Sequence, residues 1–272
     1  MIKRNLYIFS ALCLLCFCGQ AIAKLTQEQA QSLVEQANEA FRQANMATTD
    51  NPQKAEKLYE KAILNYEKII SEGQIQNAWL YYNLGNAYFL HEDIGRAILN
   101  YRRAEKLDNS DANIKKNLTF ARSKRIDKVN VKTEKRVVQT LFFWHYDLSI
   151  KTKFVLTSVF FGIFCISLIT IIWLSQLRSM RGAAIIALIL TVFFLGSVIL
   201  ESKARSGQVC GVITVESVAA RQGDGQNYPT SFKDPLHAGT EFDLLESRPG
   251  WLHIILLDDS EGWIPDTAAE LI

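Results

Sequence analysis

Two uninterrupted apolar runs, residues 154–177 and 182–200, lie back to back with only Arg178-Ser179-Met180-Arg181 between them. At about 1.5 Å per helical residue, each run is long enough to cross a hydrocarbon layer roughly 30 Å thick. The link is too short to hold a domain, so the pattern predicts a transmembrane hairpin with both flanking regions on one side of the bilayer. A buried soluble hairpin would need a large partner core, which the flanking sequence does not supply. Upstream, residues 25–125 are rich in Ala, Gln, Glu, Lys and Leu, with Pro52 the one proline and glycines at Gly73, Gly85 and Gly95. This composition predicts helices throughout. Downstream, residues 209–215, 240–245 and 252–257 read as short strands. Between them, turn signals stand at Gly223-Asp224-Gly225, Asp234-Pro235 and Asp258-Asp259. The expected architecture is multi-domain: an all-α region, a two-helix membrane hairpin and a small all-β barrel.

The first residues indicate which side of the membrane is involved. Lys3 and Arg4 precede an apolar stretch over residues 6–18, which ends in Gly19-Gln20-Ala21-Ile22-Ala23. That order predicts a signal peptide over residues 1–23, cleaved after Ala23. Cys13, Cys16 and Cys18 follow Leu12, Leu15 and Phe17, so none has the small preceding residue that lipoprotein processing requires. Cleaved or not, the segment predicts export of residues 24–153 and 201–272, into the periplasm of a Gram-negative cell. Positive-inside counting is neutral: Lys151 and Lys153, Arg178 and Arg181, and Lys203 and Arg205 tie at the three flanks.

The formal net charge of +2 conceals an asymmetry. Residues 206–272 carry three basic against eleven acidic side chains, whereas residues 115–136 carry nine basic against two acidic. Two readings stand: the opposite fields dock the two soluble parts, which the hairpin places on one surface, or each set of charges only keeps its own region solvated. Nucleic-acid binding by the basic stretch is excluded by the expected export. Leu141-Phe142-Phe143-Trp144-His145-Tyr146, within a juxtamembrane segment over residues 137–153, suits the membrane–water boundary. Cys165 lies inside the first span and Cys210 beyond the second, so no disulfide is expected between them. His237 and His253 read as isolated, with no metal spacing around them. No nucleophile–base pair or ligand cluster is visible, so neither enzymatic activity nor a cofactor is expected.

Within the helical region, Tyr81-Tyr82-Asn83-Leu84-Gly85-Asn86-Ala87-Tyr88 is followed by Ala97, Tyr101, Ala104 and Leu107-Asp108-Asn109. The spacing resembles the tetratricopeptide repeat, a pair of helices joined by a turn. In this reading Leu84, Gly85, Tyr88, Ala97, Tyr101 and Ala104 pack the repeat, and Glu92-Asp93-Ile94-Gly95 makes its turn. A weaker copy has Ala37, Ala40 and Phe41 in its first helix and Ala62, Ile63 and Tyr66 in its second. Pro52 opens that second helix, with Asp50 or Asn51 as its cap. Residues 112–125 read as a capping helix, giving a helical domain over residues 24–136. Such repeats bind peptides or helices on the face lined by first helices, which here carries Asn38, Phe41, Tyr82, Asn86 and Phe89. Phe41 and Phe89 fit inter-repeat core equally well. Asn38 and Asn86 recur at the same repeat position, as in carboxylate-clamp repeats, but Val34 occupies the place of that clamp's lysine.

Residues 207–272 resemble the bacterial SH3 domain. Their landmarks are Val218-Ala219-Ala220-Arg221-Gln222-Gly223, Leu236-His237-Ala238-Gly239-Thr240 and Glu261-Gly262-Trp263-Ile264-Pro265, with Gly250-Trp251 as a second Gly-Trp pair. Trp251 and Trp263 suit a barrel core better than a ligand platform. Signal segment, short repeat array, membrane hairpin and SH3 domain together resemble the BatE family of the bacterial aerotolerance (Bat) operon. That resemblance implies a non-enzymatic inner-membrane scaffold in a complex with von Willebrand A proteins and a MoxR-type ATPase, linked to oxidative stress. The alternative is a cell-wall module whose SH3 domain reads peptidoglycan while the repeats recruit a remodelling enzyme.

The topology is testable directly. Alkaline-phosphatase fusions after Arg136 and after Ile272 are expected to be active and a fusion at Arg178 silent; the reverse pattern would invert the orientation.

Overall fold

The computed structural model describes residues 25–128, 142–146, 148–173, 180–207 and 209–272. The expected signal segment, residues 129–136 of the basic stretch and the link between the apolar runs up to residue 179 lie outside them. The chain forms two compact units, meeting in sequence between Gln76 and Asn77.

The first unit is a pair of helices, α1 (Gln27–Ala47) and α2 (Pro52–Ser71). Thr26 and Gln29 close a capping box at the start of α1, each side chain bonding the other's backbone N–H. Asn51 caps α2 through the backbone N–H of Lys54 (3.0 Å), and Pro52 stands at its first position. Small residues on α1 (Ala30, Ala37, Ala40 and Ala44) and Ala55 and Ala62 on α2 are buried. Their lack of bulk lets two helices approach while Tyr59, Tyr66 and Ile69 fill the remaining space.

The second unit opens with α3 (Ala78–Leu90), α4 (Ile94–Leu107) and α5 (Ala112–Lys124), capped by Asn77, Asp93 and Asp111 respectively. Glu92 takes a positive φ of 66° in the turn between α3 and α4. A Cβ on Gly85 would stand 2.8 Å from Cδ1 of the buried Tyr101, so the α3–α4 crossing is closed by a bare backbone against a ring. Ala97 and Ala104 are fully buried at the same crossing. Gly95 departs from the expected turn role: it lies in the first turn of α4, where a Cβ would stand 2.9 Å from the carbonyl oxygen of Ile213.

After the short helix α6 (Phe143–Tyr146) come α7 (Ile150–Trp173) and α8 (Met180–Gly207), two helices long and apolar enough to cross a membrane. Their outer faces carry exposed apolar side chains, Trp173 being 84% exposed, while Thr157, Ser167, Ala184, Ala187, Thr191 and Ser197 are buried. The buried hydroxyls of Thr157 and Thr191 bond carbonyls one turn back in their own helices, at 2.8 Å each. At one end of the pair Lys153, 0% exposed, forms an ion pair with Glu201 and donates to the carbonyl of His145. His145 Nδ1 lies 2.7 Å from Ser197 Oγ, and the Trp144 ring sits 5.4 Å from that of Phe193. The aromatic segment before the hairpin is therefore folded onto α8.

The remainder is a small antiparallel β-structure: β1 (Cys210–Ile213), β2 (Ser217–Val218), β3 (Leu236–His237), β4 (Glu241–Arg248), β5 (Trp251–Ile255), β6 (Glu261–Pro265) and β7 (Ala269–Leu271). Five strands pair in the order β6-β5-β4-β1-β7, and β2 pairs with β3. Ile213, Leu236, Phe242, Leu252, Ile254 and Ile264 meet in its core. The alternation of Leu252, Ile254 and Leu256 with His253 and Ile255 turns one face of β5 inward.

Gly85→Leu is expected to overpack the α3–α4 crossing and cost about 1–3 kcal/mol. A lowered thermal midpoint of the purified full-length protein checks it; an unchanged midpoint would show that Tyr101 does not close on Gly85.

Candidate functional site

Each repeat carries the same hydrogen bond. In the first unit the hydroxyl of Tyr66 on α2 donates to Asn38 Oδ1 on α1 at 2.6 Å. In the second, Tyr101 on α4 donates to Asn86 Oδ1 on α3 at 2.7 Å. Burial pushes the Tyr66 phenol up to about 12 and raises that of Tyr101 further, so both stay protonated donors. The recurrence of Asn38 and Asn86 thus has an internal cause: each amide oxygen receives the buried tyrosine of its own repeat. Phe41 is half-buried and meets Tyr59 edge-on at 5.9 Å, joining the core of its helix pair.

On the second unit, α3 and α5 share a face. Asn117 Nδ2 on α5 donates to Asn86 Oδ1 (2.8 Å) and to the hydroxyl of Tyr82 (3.1 Å). The rings of Phe89 and Phe120 lie 5.4 Å apart, and Phe120 remains 53% exposed. Lys124 Nζ stands 5.3 Å from the Phe120 ring centroid. Of the expected partner-contact residues, the structure brings Tyr82, Asn86 and Phe89 onto one surface and adds Asn117, Phe120 and Lys124. The helical spacing of Asn113, Asn117, Phe120 and Lys124 was the available signal, since positions three and four apart share a face.

The outer side of the same helices meets the β-structure. Glu241 at the start of β4 is only 8% exposed and faces three guanidinium groups. Arg122 makes two bonds to its carboxylate at 2.7 Å, Arg102 approaches to 3.1 Å and Arg125 to 3.3 Å. Burial raises the Glu241 pKa, but the hydrogen bonds and charge of Arg122, with Arg102 and Arg125, outweigh it and hold the carboxyl below its ordinary 4.5. In return Asp127, just past α5, accepts from the backbone N–H of His237 (2.6 Å) and from Thr240 Oγ1 (2.6 Å), and lies 2.9 Å from His237 Nδ1. Burial opposes ionisation of Asp127 as well, yet these bonds hold it below 3.8. Arg103 reaches Glu270 (3.1 Å) and the carbonyl of Leu271 (3.0 Å), and Lys106 that of Ile272 (2.9 Å).

Two expectations change here. His237 is not isolated, because Asp127 bonds both its ring and its backbone. His253 is not isolated either: Nε2 lies 3.4 Å from Glu261 and its ring stacks on Trp263 at 4.7 Å. Trp263 is buried, with the Arg248 guanidinium 4.6 Å from its ring centroid. Of the three basic residues singled out for docking in the 115–136 stretch, Arg125 reaches the β-structure as an ion pair, while Lys124 turns to Phe120.

Comparison with known proteins adds one finding: the model of the tetratricopeptide repeat family matches residues 43–110. The chain therefore contains tetratricopeptide repeats, modules of protein–protein interaction. No curated protein matches it.

Both depressed carboxyls contribute stability that is complete above their ordinary values of 4.5 and 3.8 and is lost as pH falls through their lower folded values. Thermal midpoints of the purified protein are expected to hold from neutral pH down to pH 4.5 and fall below it. A fall already at neutral pH would assign the dependence to histidine titration instead.

Proposed function

We propose that this protein is a non-enzymatic scaffold of the inner membrane that presents a tetratricopeptide surface and an SH3 domain to the periplasm, in a complex of the Bat type. The observation that carries the reading is the α3–α5 face. There Tyr82, Asn86 and Asn117 form a bonded polar strip beside the aromatic pair Phe89 and Phe120. A surface of amides and exposed aromatic rings suits an extended peptide or a partner helix, with main-chain groups on the amides and an apolar side chain on Phe120. In the full array, Asn38 and Phe41 would belong to the first-helix face of the preceding repeat, and Leu84, Gly85, Tyr88, Ala97, Tyr101 and Ala104 hold the shape.

The membrane placement draws on two further features. Ion pairs between the helical segment and β4 require residues 77–128 and 209–272 to share one side of the bilayer. The pairing of Lys153 with Glu201 offsets one positive charge at the flank facing the soluble parts, leaving Arg178 and Arg181 to favour a cytoplasmic link. Residues 207–272 take the role of an SH3 domain, a reading supported by their antiparallel strand order and Gly-Trp pairs. Membership of the BatE family would make von Willebrand A proteins the partners and aerotolerance the process served.

Photo-crosslinkers at Phe120 and Tyr82 are expected to trap von Willebrand A proteins in intact cells, whereas one at the exposed Leu107 is not. Equal trapping at all three positions would reject the α3–α5 face. Retention of the purified protein on cell-wall sacculi would favour the peptidoglycan-binding alternative.

A further inference from the structure

The contact around Glu241 joins residues that lie on either side of the membrane hairpin in sequence. Arg122 and Glu241 are 119 positions apart, and the hairpin lies between them. Carboxylates cross the boundary in both directions: Glu241 enters the arginines of α4 and α5, and Asp127 enters the His237–Thr240 loop. The surfaces also fit without side chains in the way. Gly95 lies against the carbonyl of Ile213 and against Ala238, and a Cβ on Gly239 would stand 3.0 Å from Ile98. Gly239 holds a φ of +90°, which a larger residue rarely adopts. Arg103 adds a third ionic contact with Glu270.

We propose that this contact is a persistent non-covalent ring closure, which makes α3–α5 and the β-structure one soluble body into which the membrane hairpin is inserted. The hairpin then hangs from a closed ring and does not tether two independent domains. Two physical arguments favour persistence over transient docking. Glu241 is withdrawn from water, so salt screens its pairs less than it screens exposed ones. Opening the contact would also leave Arg102, Arg122 and Arg125 facing one another without their shared counter-charge. A further consequence is that the outer face of α4 is taken by this chain's own β-structure, so outside partners are left the α3–α5 face.

The test cuts the covalent path and asks whether the ring holds. A site-specific protease sequence is placed between residues 129 and 141 of the full-length protein, which is purified in detergent through a tag after Ile272 and then cleaved. The N-terminal fragment is expected to co-elute with the tagged hairpin and β-structure on gel filtration at micromolar concentration and physiological salt. Glu241→Arg is expected to release it, weakening association on the order of 100-fold or more, because it leaves buried charges unpaired. Asp127→Lys provides the same test from the helical side, and circular dichroism of the released fragments shows whether each remains folded. For the peripheral pair, Arg103→Glu is expected to weaken retention and the double variant Arg103→Glu/Glu270→Arg to restore it. Separate elution of the wild-type fragments would overturn the proposal, as would undiminished retention in both Glu241→Arg and Asp127→Lys.

Discussion

One buried carboxylate organises the second unit. Glu241 begins β4, pairs in register with Val212 of β1 and receives three arginines from two helices. A single buried charge of this kind is costly unless its oxygens are fully bonded, and breaking one side of such an arrangement is penalised more than its assembly is rewarded. That asymmetry favours specificity over bulk stability. It fixes which face of the helices meets which end of the sheet, and close-approach positions such as Gly95 and Gly239 are meaningful only in that one arrangement.

Much of the fold was legible because it rests on local rules. The capping residues Asn51 and Pro52, the small–aromatic alternation of Gly85, Ala97 and Tyr101, and the apolar lengths of the hairpin each express short-range geometry that sequence spacing records. The opposite charges of residues 115–136 and 206–272 correctly pointed to contact. They did not reveal that one acidic residue would take most of the arginines, nor that Asp127 would cross in the other direction. Charge counts carry sign and reach but no register. Arg102 and Arg103 lie outside the basic stretch altogether and enter the contact only because α4 rotates them toward β1 and β7. Gly95 was similarly hidden, since a glycine near a turn has an obvious local explanation and its actual neighbour is more than a hundred positions away.

The repeated tyrosine–asparagine bond shows how a structural need can resemble a binding signature. Asn38 and Asn86 occupy equivalent places, a pattern that suggests ligand contact, yet each amide oxygen is engaged by a tyrosine of its own repeat. A buried phenol must donate to something, and an asparagine across the helix pair satisfies it while leaving the amide nitrogen directed elsewhere. The two roles are compatible. The internal bond fixes the orientation of the amide, and an amide held still loses less entropy when it meets a partner.

The insertion of the hairpin also sets an order of events during synthesis. The helices bearing Arg102, Arg122 and Arg125 leave the ribosome well before Glu241, which arrives only after both apolar helices have been made. Until then the nascent helical segment carries clustered positive charge with its answering carboxylate still to come, and its outer face has nothing to pack against. Closure of a loop more than a hundred residues long is slow compared with helix formation. The segment must therefore wait in an unfinished state while the membrane step proceeds, and its final folding is coupled to the success of membrane insertion.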